Sequence, residues 1–431
     1  SRLETALFSL LVTAWVYSCL FVGPKRRTAA IGTAASLLAL TRPDGLLFVA
    51  ASVVLVFLPS VRRGEAVTRR SFYLSLLPFA IVPAHLVWRF VTYGEWLPNT
   101  YYAKTVSVWP QSGIRYAGSF ILEYGLWLWL AVILVWAGRS ALGRRDRGSS
   151  RRRGAAAKTR RAGAAWFRAF GGRGAPLVVV VATLLAHAGY YTLIIGGDHF
   201  EYRVYNHLIP FIFISFVAVL LQLTVRPKLV TALSAALILA GLPVPWTHWA
   251  LTHKLHTREQ TYVMVVPIAG HWPGAFRWYA RWFDELQGWL IPHHVCMRHQ
   301  EHKVFYEYMT KEYPSRQVGS RITDEGYPVY VCTTVGVPGW VLPHVNIIDK
   351  YGLNDYVIAR MPVERKEFRM MAHERRAPRE YLEGFLPDVE VKDGRAWVNP
   401  RPRELTAADI IAHEAKWERI VREKEHENFG R

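Results

Sequence analysis

Cysteine is scarce, with three in 431 residues, too few for a disulfide framework. Cys19 lies in an apolar run; Cys296 and Cys332 could pair outside the cell but read as free, buried thiols. A charged leader with a cleavage site is also missing, which excludes a signal peptide at the start of the chain. With Ser1 in first place and an apolar run beginning at once, the sequence reads as lacking its natural N-terminus. No internal repeat is present, and no polar string runs along a whole apolar segment. Both absences argue against a transporter made of repeated halves with charges near the midplane. Long apolar runs are absent beyond about residue 250, so a chain that is 51% hydrophobic has a mean hydropathy of only +0.09.

The apolar residues concentrate in runs at about 4–22, 28–41, 46–60, 72–93, 117–138, 177–196, 207–225 and 229–248. A helix needs about 20 residues to cross about 30 Å of hydrocarbon, and most of these runs qualify. The second and third, roughly 14 residues each, reach only about 21 Å. Between them stands Thr41-Arg42-Pro43-Asp44-Gly45. Proline disfavours helix in the residue before it and glycine closes the break, so two short helices should meet there at a turn inside the protein. The expected fold is an α-helical polytopic membrane protein of about eight membrane segments over residues 1–248. A soluble α+β or α/β domain over 249–431 should follow, with helices near 275–289, 299–311 and 406–425 and strands at 327–335 and 344–349.

A net charge of +20 would point to nucleic acid in a soluble chain. Here the cations gather in alternate connections: Lys25, Arg26 and Arg27; Arg62, Arg63, Arg69 and Arg70; a basic loop over 139–176; and Arg226 with Lys228. By the positive-inside rule these are cytoplasmic, which places residues 249–431 outside a multi-pass plasma-membrane protein. The basic loop reads as a topology anchor touching anionic membrane lipid, with no nucleic-acid partner. Trp246, Trp249, Trp272, Trp278, Tyr279 and Trp282 suit either a membrane-interface surface or ordinary packing.

Four polar clusters fall on the expected outer side: Arg2 to Thr5, Arg42 to Gly45, Gly94 to Lys104, and Gly196 to Arg203. A charge at bilayer depth costs about 2.5–3.5 kcal/mol, so such residues pair or face a polar cavity. The set holds carboxylates (Glu4, Asp44, Asp198), cations (Arg42, Lys104, Arg203) and aromatics (Trp96, Tyr101, Tyr102). Carboxylates orient or deprotonate hydroxyls, cations stabilise a phosphate leaving group, and aromatics hold a sugar ring or lipid chain. A lipid-phosphate sugar would use all three. The competing reading makes Arg42 with Asp44, and Asp198 with Arg203, structural ion pairs at helix ends.

The segments SRLETALF, LTRPDGLLF, YGEWLPNTYYAK, GGDHFEYRVYNHLIP, VNIIDKYGLND and AHERRAPREYL, in this order, resemble the GT-C membrane glycosyltransferases that use polyprenyl-phosphate sugars. Within that class the sequence most resembles the terminal arabinofuranosyltransferase-like family of actinobacterial cell-wall synthesis, whose relatives are often labelled flagellar motor control protein ZomB. The resemblance implies a polyprenyl-phosphate sugar as donor substrate, an envelope polysaccharide as acceptor, and an outward-facing site. It also implies a catalytic acidic residue in a first outer loop expected upstream of Ser1, so the chain should be inactive as it stands. Under it, Arg42, Lys104 and Arg203 contact the donor phosphate, Glu4, Asp44 and Asp198 orient sugar or acceptor, and Tyr101, Tyr102 and His199 line the pocket.

His293, His294, Cys296, His299 and His302 match no standard metal spacing, and no metal is expected. Asp349 to Asp355 reads as a structural turn, with acceptor binding or domain docking as the other possibility, and Ala372 to Arg376 as a solvated charged face. The leading function is sugar transfer, with arabinofuranose the best single candidate. The alternative is a non-catalytic envelope or flagellar-motility factor acting through protein contacts.

Overall fold

The computed structural model describes residues 2–58, 69–104, 107–145, 174–224, 226–261, 266–363 and 368–429. Arg62, Arg63 and the stretch 146–173 of the basic loop lie outside the described residues. The chain is mostly helical.

Its first half starts with helices Arg2–Leu20, Pro24–Thr41 and Leu46–Phe57. Phe8, Val12, Trp15 and Cys19 recur every three or four residues, so they share one face and meet Ile31, Leu38, Phe48 and Leu55 in a buried core. The Trp15 indole donates to the Ser52 hydroxyl at 2.7 Å, which satisfies its one polar atom inside that core. Pro24 opens its helix at a position where no backbone donor is needed. Arg42, preceding Pro43, takes extended backbone (φ −151°) and ends the helix; a single 3-10 turn, Pro43–Gly45, then feeds the next one.

Among the described residues, helices Gly174–Ile195, Arg203–Leu223 and Pro227–Thr252 are long and apolar enough to cross a membrane. Pro110–Glu123 and Trp127–Leu142 pass together but are bent by 95°. Three spans, or four with the bent pair, stand where about eight apolar runs were counted. The run 72–93 is interrupted by a 3-10 turn at Leu77–Ala80, the run 117–138 turns at Gly125 (φ +61°), and Glu4–Leu20 and Pro43–Phe57 are apolar but short. The boundary expected at 248/249 falls inside the Pro227–Thr252 helix. Leu134, Val178, Leu185 and Leu239 are exposed on these helices. Apolar surface on this scale needs a cover, and with the long apolar helices it makes this a membrane-associated helical protein.

The later residues hold helices Arg277–Leu290, His299–Glu312 and Ala407–Phe429, close to expectation. The strands are shorter than expected. β1 (Val329–Cys332) and β2 (Asn346–Asp349) pair in parallel, with Val329 opposite Asn346, and β3 (Val389–Lys392) and β4 (Arg395–Val398) pair antiparallel. Val329, Ile348, Val357, Tyr381, Phe385 and Val421 form a core beside β1 and β2. All three cysteines are free and buried.

Candidate functional site

The turn at Arg42 places its side chain among groups from three elements. Its Nε donates to Asp44 Oδ1 at 3.0 Å and lies 3.8 Å from Glu4 Oε1. Its Nη2 donates to the Tyr191 hydroxyl at 2.7 Å, and that hydroxyl donates to Asp44 Oδ2 at 2.7 Å. His187 Nε2 completes the Asp44 carboxylate at 2.9 Å. Tyr191 reaches this point because the apolar helix widens into a π-helical turn over Tyr190–Ile195, a device that re-aims side chains.

The chain then turns through Gly196 and Gly197, at φ +94° and +105°. A Cβ at Gly196 would lie 2.8 Å from Trp109 and one at Gly197 2.9 Å from Tyr116, so left-handed backbone and close approach together require glycine. This turn delivers Asp198 and Arg203, which pair through two bonds: Nε to Oδ2 at 2.8 Å and Nη2 to Oδ1 at 3.0 Å. Behind them the loop runs against residues 294–297, with the amides of Cys296 and Met297 donating to the carbonyls of Asp198 and His199.

Lys104 ends the short helix Asn99–Lys104 within electrostatic reach of Asp198, Arg203, Glu4 and Arg42. The residue as a whole is exposed, but its ammonium is surrounded by protein, which together with the Arg203 and Arg42 charges lowers its pKa against the opposing pull of Asp198 and Glu4. Its ammonium has no hydrogen bond or ion pair among the described residues. Arg42, Lys104, Asp198, Arg203, Glu4 and Asp44 are therefore drawn toward one end of the helices, where both arginines are held by carboxylates and the lysine is not. Beside them lies an open cavity of about 560 Å³ lined by Thr5, Tyr124, Glu201, Arg203, Asn206 and His302 among others. Of the residues given donor, sugar or pocket roles from sequence, Arg203 alone borders it; Thr5, Glu201 and His302 come from the polar clusters and the histidine-rich stretch.

The aromatics go elsewhere. Tyr102 donates to Glu95 Oε2 at 2.8 Å and carries the Arg360 guanidinium 4.0 Å over its ring, so it belongs to the junction with the later residues and not to a pocket wall. Tyr101 stands edge-on to Tyr102. His199 joins a group of three histidines with His294 and His373, where burial and the neighbouring imidazoles lower its pKa well below the ordinary value. The Ala372–Arg376 segment is likewise not a solvated face: His373 is in that group, and Arg375 donates to the carbonyls of Met361 and Tyr102.

His293 stacks on Trp289 and Phe368, Cys296 is buried beside Gln287, and the side chain of His299 lies outside the described residues. Asp349 bonds the Tyr351 and Leu353 amides as a turn. The same loop also docks, since Asn99 Nδ2 donates to the carbonyls of Gly352 and Asp355 at 2.9 and 2.8 Å.

Sequence reasoning missed the buried triad of Arg298 with Glu123 (2.8 Å) and Glu201 (2.6 Å). A carboxylate inside the apolar run 117–138 was the signal that could have found it. His187 in the run 177–196 is a second such signal. No family profile, curated protein or solved structure matches the chain.

Proposed function

We propose that this protein acts in transfer of a sugar, arabinofuranose being the best single candidate, from a polyprenyl-phosphate donor to a cell-envelope glycan at the outer face of the membrane. About eight membrane-embedded segments carry the site in this reading, and residues 249–431 lie outside. The observation that carries it is Lys104, an ammonium without a partner among the described residues, set among Arg42, Arg203 and three carboxylates at one end of apolar helices. In this reading the roles divide as follows. Asp44 and Asp198 are each bonded through both carboxylate oxygens, so they position Arg42 and Arg203. Glu4, half exposed and 3.8 Å from Arg42, keeps carboxylate capacity to orient an acceptor hydroxyl. The acceptor hydroxyl oxygen then bonds to the anomeric carbon as its proton passes to a carboxylate base, the bond from that carbon to the lipid phosphate breaks, and Lys104 with Arg203 receives the phosphate charge.

The test is donor binding by the purified protein in detergent, read with polyprenyl phosphate, together with turnover in the intact protein. Lys104→Ala should weaken both by roughly 10- to 100-fold, the worth of a charge-assisted hydrogen bond, and Lys104→Arg should recover part of the loss. Equal binding by Lys104→Ala would reject the phosphate assignment. No binding of polyprenyl phosphate by the wild type would favour the envelope or motility factor.

A further inference from the structure

Outside the charged site, three segments distant in sequence bring one imidazole each to a common point. His199 lies on the loop between two of the long apolar helices, His294 follows helix Arg277–Leu290, and His373 lies in the stretch after residue 368. One ring nitrogen from each falls within 4.8 Å of the other two, with ring centroids 5.1, 5.4 and 6.0 Å apart. All three side chains are partly buried.

Two of the rings are fixed in tautomer by the backbone. His199 Nδ1 donates to the His294 carbonyl at 2.9 Å, and His373 Nδ1 donates to the Met371 carbonyl at 2.7 Å. The proton of each ring is thereby held on Nδ1, and Nε2 is left with its lone pair. A carbonyl acceptor behind an imidazole is the usual second shell of a metal-ligating histidine. The backbone is also held in an unusual conformation on two sides of the group, with His294 at φ +58° and Ala372 at φ +59°. Left-handed non-glycine residues cost energy and persist where the surroundings over-determine them.

From this geometry we propose that His199, His294 and His373 form a binding site for one divalent transition-metal ion of the zinc class. Imidazole nitrogens suit zinc, copper, iron and nickel. Three protein ligands leave a fourth position for water or another oxygen donor. Bonds of 2.0–2.1 Å at tetrahedral angles place ligand nitrogens about 3.4 Å apart, so nitrogens within 4.8 Å of one another need to close by about 1.4 Å at most. Asp349 supplies negative field at His373, and Lys104 and Arg376 oppose it. The ion clamps the loop after one membrane helix to the later residues, immediately beside Asp198. The assignment does not depend on sugar transfer.

The experiment is a Co2+ titration of the purified protein in detergent, followed by visible absorption, with Zn2+ as competitor. One Co2+ per chain with tetrahedral bands, displaced by Zn2+, is expected. His199→Gln, His373→Gln and His294→Asn, the last chosen because asparagine tolerates left-handed backbone, should each abolish the bands, while His253→Gln should keep them. No stoichiometric uptake by the wild type, or uptake retained in the three variants, overturns the site. A readout that needs no variant guards against misfolding. Zn2+ should slow diethylpyrocarbonate modification of His199, His294 and His373 in the wild type at least tenfold by mass spectrometry, and unchanged rates overturn the proposal.

Discussion

The helical half and the later residues are held together by different means. In the first, apolar faces recur at helical spacing, and the few buried polar groups find one another across long stretches of chain, as Arg42 and Asp44 do with Tyr191 and His187. In the second, strands of four residues and helices such as Arg316–Gly319 and Tyr356–Arg360 are too short to be stable alone. Side chains bonded to backbone supply what length does not. Asp355 caps the Ile358 amide, Asp388 accepts from the Val329 amide, and Arg401 bonds the carbonyls of Leu386, Gly326 and Tyr327 while pairing with Asp388. Charge in the first half marks places where distant helices meet; charge in the second marks turns.

The largest effect expected from breaking this contrast is at Arg298, which carries charge from the later residues into the helical half. Its guanidinium is buried and holds Glu123, also buried, together with Glu201. Removing one partner of such a group leaves uncompensated buried charge, worth about 3–5 kcal/mol. Arg298→Met should lower the free energy of unfolding in detergent by that much, read as a lower thermal midpoint. Adding Glu123→Leu should restore part of the loss, because the orphaned carboxylate goes with it. Equal destabilisation by the single and double changes would show that packing and not charge holds the junction.

A smaller effect is expected where the halves dock through the neutral side chain of Asn99. Asn99 donates to the carbonyls of Gly352 and Asp355 and accepts from Arg360 Nη1 at 2.9 Å, while Arg360 also pairs with Glu95 at 2.9 Å. Asn99→Ala removes three hydrogen bonds and should cost about 2 kcal/mol. Limited proteolysis should then cut near residues 349–355 faster than in the wild type. An unchanged cleavage rate would mean that the loop is held by its own Asp349 turn.

The same contrast explains what was legible in the sequence. The break at Arg42–Gly45 and the helices at 277–290, 299–312 and 407–429 follow from proline chemistry and spacing, which act locally. Apolar runs number about eight where three helices, or four with the bent pair, are long and apolar enough to cross a membrane among the described residues, because the Pro78 and Gly125 interruptions lie inside runs that hydropathy averages over. The polar clusters were legible, and so were the local pairs Arg42–Asp44 and Asp198–Arg203, but their distant partners were not. Nothing local tells Asp44 that His187 will complete it, or Tyr102 that Arg360 will cover it. The junction hid best, because Arg298, His373 and Asn99 look like ordinary surface residues until the fold brings their partners to them.

The smallest effect is a pH dependence confined to the later residues. Asp355 accepts from the Ile358 amide and from the Tyr381 hydroxyl at 2.7 Å. Burial nevertheless raises its pKa above the ordinary carboxylate value, against the pull of those bonds. A folded-state pKa above the unfolded one, about 3.9, means that the folded protein binds the proton more tightly. Protonation of this group therefore favours folding, and its contribution is full below the unfolded pKa and lost as pH rises through the folded one. Asp355→Asn keeps an acceptor for the Ile358 amide but cannot titrate. The stability difference between wild type and variant should shift toward the wild type as pH falls from 7 to 4, because the groups common to both cancel. A difference that stays flat across that range would mean that the two hydrogen bonds offset burial, and one that shifts toward the variant would mean that they outweigh it and that this turn is stabilised by charge as the Arg42–Asp44 site is.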